Sequence, residues 1–269
     1  MKIGFLGIGN MGSAILKGFL KNGILSNDIY AYDLDKERLN KMKNEFNINI
    51  CFTYESLINS IDCIILAIKP NIFKDVLKEI APILKTNNTL IVSIAAGIEI
   101  NNIKQMVNNK FASVIRIMPN INAEICMATS AYCYSEEVSE EDLDEIISCF
   151  EKIGSIYYID EEKFSIFTAI ASCSPAYVYL FIDSLAKGAQ KMGLPKKLAL
   201  EIATNAVIGS SNMFNKSNKH PWELIDNVCS PGGTTIEGIC TLEENNFQQT
   251  IVKAVENSII KDALLNKDK

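Results

Sequence analysis

Near its start the chain reads Gly7-Ile8-Gly9-Asn10-Met11-Gly12. This G-x-G-x-x-G spacing lies between an apolar run at 2–6 and a segment of helical periodicity at 10–21. A chain that leaves a strand, turns on glycine and enters a helix at once predicts the first βα unit of a parallel sheet. Gly7 permits the tight turn, Gly9 lets backbone approach a pyrophosphate, and Gly12 allows close helix–strand packing. The N–H groups at the helix start then face the anion, aided by the helix dipole. Asp33 follows about 20 residues later at the end of the second predicted strand, where a carboxylate accepts hydrogen bonds from a ribose. These residues point to dinucleotide binding. The plainer reading is a glycine turn of structural use only, with Asp33 capping the following helix. A carboxylate at Asp33 repels a 2′-phosphate and so favours NADH over NADPH. Lys36 and Arg38 lie near enough to accommodate the phosphate nonetheless.

The pattern that opens here continues. Strand-length runs rich in Ile, Val, Leu, Phe and Tyr occupy 28–33, 61–68, 89–94 and 113–117. Helical spacing fills 36–46, 72–84 and 99–107 between them. Near-continuous apolar strands separated by helices imply a parallel sheet covered on both faces. Two further strands, 130–134 and 155–159, extend the sheet around a helix at 140–152. After Glu161 the strand signal ends. A helical pattern begins at Phe164 and closes at Met192-Gly193-Leu194-Pro195, since glycine stops a helix and proline suits the first turn of the next. Helices are predicted over 196–214, 222–228, 234–244 and 248–265. The expected architecture is α/β: an N-terminal Rossmann-type, doubly wound dinucleotide-binding domain over 1–160. An all-helical domain follows over 161–269.

Composition narrows the function classes. A net charge of −6 repels phosphate backbones, against nucleic-acid binding as the main task. No uninterrupted apolar run approaches the roughly 20 residues of a membrane span, so no membrane association is expected. Lys2 and the apolar residues after it imitate a signal peptide, but Gly7, Gly9, Asn10 and Gly12 break the stretch. The eight cysteines show no paired metal or redox spacing. Most sit among apolar neighbours as small hydrophobes, which fits a reducing cytoplasm and no metal.

The second half contains Ser174-Pro175-Ala176-Tyr177, then Lys191-Met192-Gly193-Leu194-Pro195 and His220-Pro221. Its most specific stretch is Ser230-Pro231-Gly232-Gly233-Thr234-Thr235. In the first half Ala67-Ile68-Lys69-Pro70, Ser93-Ile94-Ala95-Ala96-Gly97 and Arg116-Ile117-Met118-Pro119-Asn120 accompany them. In order and spacing the chain resembles the pyrroline-5-carboxylate reductase family over essentially its whole length. It departs at Ala171-Ser172-Cys173-Ser174, where the family has a small Ser-Gly-rich run, and at Ile121-Asn122, where Thr-Pro is usual. These departures bear on the fine positioning of substrate and nicotinamide.

The resemblance implies reduction of 1-pyrroline-5-carboxylate, a small cyclic imine, to proline with NADH or NADPH. It places Gly7, Gly9, Asn10, Met11, Gly12, Asp33, Ala67, Lys69 and Pro70 on the cofactor. It places Ser230, Gly232, Gly233, Thr234 and Thr235 on the substrate, with the Thr235 hydroxyl near the imine nitrogen as the catalytic group. It further implies a homo-oligomer, a dimer or an assembly of dimers, whose helices interlock. The chemistry suits the residues: a protonated imine is already electrophilic, so orientation does most of the work. Considered alone, the Ser230–Thr235 loop also reads as a helix-capping turn. Lys69 reads equally as a solvated strand-end lysine, and His220 as a structural residue before Pro221. A β-hydroxyacid dehydrogenase shares the opening motif but supplies a lysine on the first long helix of its second domain. Residues 164–183 contain none. A nucleotide-sensing protein on the same fold is the non-enzymatic alternative.

Overall fold

The computed structural model describes residues 1–267 and divides the chain into two compact units. One comprises Met1–Ser172 with the final turns from Ile259, the other Cys173–Ser258.

In the first unit the strands are β1 (Ile3–Leu6), β2 (Ile29–Tyr32), β3 (Asn49–Ile50), β4 (Cys63–Leu66), β5 (Leu90–Ser93), β6 (Val114–Met118), β7 (Ala128–Tyr134) and β8 (Gly154–Tyr158). They form one sheet in the order β3-β2-β1-β4-β5-β6-β7-β8. Alternating side chains feed two cores, as expected of a doubly wound sheet. On one face Leu66, Ile91 and Val114 pack against Phe73, Leu77 and Ile80 of helix α4 (Pro70–Asn87), with Ile103 of α5 (Ile100–Met106). On the other, Phe5, Ile65 and Val92 pack against α1 (Asn10–Lys21), α2 (Lys36–Phe46) and α6 (Glu140–Glu151). Phe19 stands edge-on to both Phe5 and Phe150, at 6.1 and 5.3 Å between ring centroids.

Three features differ from the sequence reading. A short strand, β3, and a short helix, α3 (Tyr54–Ile58), occupy a segment without clear periodicity. A capping box between Thr53 and Ser56 starts α3. Strand β7 runs antiparallel to β6, because the connection holds only a 3₁₀ segment, Ile121–Ile125. A parallel return needs a crossover of a dozen or more residues. The first predicted helix after Glu161 is broken: α7 (Phe164–Phe167) gives way to a π turn, Thr168–Ser172, before α8 (Ser174–Lys191).

The second unit is helical: α8, α9 (Lys196–Lys216), α10 (Pro221–Val228), α11 (Thr234–Glu244) and most of α12 (Phe247–Lys267). Gly193, at φ +101°, makes the reversal between α8 and α9. Lys196 of α9 and Lys187 of α8 both pair with Asp183. Few large apolar side chains are buried here, whereas Leu180, Ile202, Met213 and Val228 are 65, 52, 62 and 66 % exposed. The stretch Glu161–Lys191 is apolar and long enough, by length and composition, to cross a membrane. Such a surface calls for cover.

Arg116 braces the first unit. Its guanidinium, 5 % exposed, donates to Glu161 Oε1 at 2.8 Å and lies 4.4 Å from the Phe164 ring centroid. The same carboxylate oxygen accepts the Ile100 N–H at the start of α5. Glu161→Ala leaves the guanidinium buried and unpaired, which costs 3–5 kcal/mol for a fully buried pair. With Glu161 26 % exposed, about 2–3 kcal/mol is expected in urea unfolding. Lys163→Ala, which removes an exposed pair with Asp160, should leave the midpoint unchanged. Equal midpoints for the two variants would contradict the bracing role.

Candidate active site

The glycine turn sits at the carboxyl end of β1. Gly7 has φ +95°, and a Cβ there would come 2.8 Å from the Ala67 carbonyl oxygen. A Cβ on Gly12 would meet the Gly7 carbonyl oxygen at 2.4 Å. Neither position admits a side chain. Gly9 differs: its φ is −62°, and a Cβ would meet nothing within 4 Å. No protein atom therefore demands glycine there. The space it leaves adjoins the start of α1, where Gly9 is the N-cap and no side chain caps the first turn. Asn10 and Met11 begin that turn, so its N–H groups remain available to an anion. Room for close approach together with unpaired donors fits the pyrophosphate of a dinucleotide.

Asp33 is tied to the same turn. The Ile8 N–H donates to Asp33 Oδ2 at 2.8 Å and the Asp35 N–H to Oδ1 at 2.9 Å. The Arg38 guanidinium lies 3.6 Å from Oδ2. The residue that caps α2 is Asp35, whose side chain accepts the Arg38 N–H at 3.0 Å; Asp33 does not cap it. Ala67 continues the β1–β4 ladder through its N–H to the Leu6 carbonyl, 2.9 Å. Exposed Lys69 is the N-cap of α4 and Pro70 its first residue. Glycine turn, Asp33 and the Ala67–Pro70 segment thus share the carboxyl edge of the sheet, where ligands bind in such folds. Tyr32 and Tyr54 pack together just behind Asp33, ring centroids 4.7 Å apart. Burial and the neighbouring Tyr32 push the Tyr54 hydroxyl up to about 12.

In the second unit the Ser230–Thr235 loop joins α10 to α11. Gly232 has φ +67°, and a Cβ on Gly233 would lie 2.4 Å from Ser230 Oγ. The Gly233 N–H closes the turn on the Ser230 carbonyl at 3.0 Å. Gly233 is the N-cap of α11, and no side chain makes a capping hydrogen bond. The hydroxyls of Thr234 and Thr235 are therefore not used as caps. Thr235 instead lines a largely apolar groove of about 800 Å³ with Met213, Leu224, Val228, Cys229 and Ile239. His220 serves structure: it is the N-cap of α10, and its Nδ1 accepts the Trp222 N–H at 3.3 Å.

All eight cysteines are free thiols. Burial drives Cys63 well above the ordinary thiol range, Cys133 to about 12 and Cys149 to about 11. At neutral pH these three are inert fillers of the core.

Two family models match the chain. Residues 161–265 match the model for pyrroline-5-carboxylate reductase dimerisation, and residues 2–97 match that for coenzyme F420-dependent NADP oxidoreductases. A pyrroline-5-carboxylate reductase of Glycine max is 35 % identical over 255 residues, covering 94 % of this chain and 92 % of its own. The Escherichia coli enzyme of that name is 34 % identical over 267 residues, covering 99 and 98 %. The crystal structure of Plasmodium falciparum pyrroline carboxylate reductase with NADP bound superposes with a TM-score of 0.89 at 33 % identity, over 99 % of this chain and 98 % of that one. The dimerisation match spans the helices with the exposed apolar side chains. With this identity over nearly its full length, the chain belongs to the pyrroline-5-carboxylate reductase family.

Proposed function

We infer that this chain reduces 1-pyrroline-5-carboxylate to L-proline at the expense of a reduced nicotinamide dinucleotide, as a homo-oligomer in the cytoplasm. Family membership carries the reaction. For the residues, the reading is supported by Thr235, which lines a groove and makes no capping hydrogen bond. The dinucleotide, when bound, supplies the hydride that adds to the imine carbon. The first turn of α1 would hold its pyrophosphate and Asp33 its adenosine ribose, with Ala67, Lys69 and Pro70 beside it between β4 and α4. Ser230, Gly232, Gly233 and Thr234 offer the substrate carboxylate a small-residue turn and the positive end of α11. Thr235 hydrogen-bonds the imine nitrogen, which turns basic as the carbon is reduced. The nitrogen's proton arrives with the iminium form of the substrate, so the site needs no strong acid.

Cofactor choice is read from Asp33. Its carboxylate is 13 % exposed and fixed by two N–H groups, and it can still accept from a ribose hydroxyl. A 2′-phosphate beside it is repelled, and Arg38 offsets only part of that repulsion. We expect NADH to serve at least as well as NADPH. Steady-state kinetics with both cofactors decide it, and Asp33→Ser should shift the ratio toward NADPH. A tenfold or larger NADPH preference in the unaltered protein, about 1.4 kcal/mol, contradicts this reading.

For Thr235, an interaction that strengthens as hydride arrives belongs to the chemical step. Thr235→Ala should cost roughly tenfold or more in kcat/KM, in line with 1–3 kcal/mol for a lost polar partner. Thr235→Ser, which keeps the hydroxyl, should retain much of the activity. A lowered Tm with near-normal kinetics for Thr235→Ala would reduce the residue to a structural part of α11.

A further inference from the structure

Among the described residues three buried side-chain oxygens have no hydrogen-bond partner: Thr89 Oγ1, Ser130 Oγ and Ser172 Oγ. An unpaired buried hydroxyl costs about 1–3 kcal/mol. Thr89 precedes β5 at the amino edge of the sheet, and Ser130 belongs to the interior of β7. Ser172 is placed differently. It closes the π turn Thr168–Ser172, a helix defect that recurs at functional sites.

That turn is fastened to the carboxyl edge of the sheet. Asn120, 4 % exposed, follows β6; its Nδ2 donates to the Ala171 carbonyl at 2.9 Å, and its Oδ1 accepts the Thr129 N–H at 3.1 Å. Ala171 packs in one apolar cluster with Ala95, just past β5, and Met118, the last residue of β6. The Ser172 hydroxyl is thus held near the ends of β5 and β6. Asp33 lies at the end of β2, and the order β2-β1-β4-β5-β6 puts four strand steps between them. At about 4.8 Å per step the separation is on the order of 19 Å. A dinucleotide with its ribose at Asp33 and its pyrophosphate at the β1 turn runs along this edge toward β5 and β6. Its far end carries the nicotinamide carboxamide, which offers both a donor and an acceptor.

We propose that Ser172 Oγ is the hydrogen-bond partner of the nicotinamide carboxamide and fixes the rotation of the ring. The assignment rests on the dinucleotide reading above. Asn120 acts through the Ala171 carbonyl as the positioning residue that holds the turn in place.

Calorimetric titration of the full chain with NADH and with ADP-ribose tests it, because ADP-ribose shares the adenosine half and lacks the nicotinamide. Ser172→Ala should weaken NADH binding roughly five- to tenfold, the range expected for one net hydrogen bond, and leave ADP-ribose binding within about twofold of the original. Without ligand, the same variant should melt at the same or a higher temperature, since it removes an unpaired hydroxyl. Unchanged NADH affinity overturns the proposal. So does a parallel loss for both ligands, which marks a disturbed turn. If the unaltered protein binds ADP-ribose and NADH equally, the ring gains nothing from Ser172 and the assignment falls alone. If it binds neither, the dinucleotide reading itself fails and the assignment goes with it.

Discussion

The close approach of the glycine turn to its neighbours governs the first unit. Backbone at Gly7 and Gly12 comes so near the Ala67 and Gly7 carbonyls that a single methyl group would part them. This contact sets where α1 begins. The Ile8 N–H then reaches the Asp33 carboxylate, a charge-assisted bond worth about 1.5–3 kcal/mol. One short turn therefore joins the ends of β1, β2 and β4 and leaves the first N–H groups of α1 unspent. Steric necessity at Gly7 and Gly12 and open room at Gly9 are separate physical demands, although the three residues belong to one motif.

The second unit is governed by what it lacks. Its fully buried positions are mostly small, such as Ala186, Ala199 and Ala203, while its large apolar side chains stay exposed. A helical unit of this kind gains little from burial within one chain and calls for apolar cover. The stretch Glu161–Lys191 is apolar over the same helices. Composition that would suit a lipid interior suits a subunit interface as well.

Much of this was legible in the sequence. Helices α1, α2 and α11 have the bounds their periodicity predicts, because each carries a clear apolar stripe and distinct ends. The buried strands are equally plain, being β-branched runs between turns. Other features were not legible for physical reasons. The segment at 49–58 is too short for a period to register, and a local capping box specifies its helix. The direction of β7 depends on the length of a connection. The π turn carries the Ala171 carbonyl that accepts from Asn120, 51 residues away in sequence, and no local pattern announces such a bond. At the proposed site the motif marked Asp33 without revealing that its carboxylate is already engaged by Ile8, Asp35 and Arg38. The loop at Ser230–Thr235 had two readings, and no residue pattern could show that α11 begins on Gly233 with no side-chain cap.

The reaction assigned to this protein moves a hydride from a dinucleotide to the carbon of a cyclic imine. Its most direct test follows the hydride itself. Purified protein is incubated with 1-pyrroline-5-carboxylate and NADH carrying deuterium at C4 of the nicotinamide, on the face that is transferred, and the product is analysed by mass spectrometry and NMR. The expected product is L-proline with one deuterium at the former imine carbon. Proline without deuterium from either C4-labelled face, or no proline while both ligands bind, would contradict it.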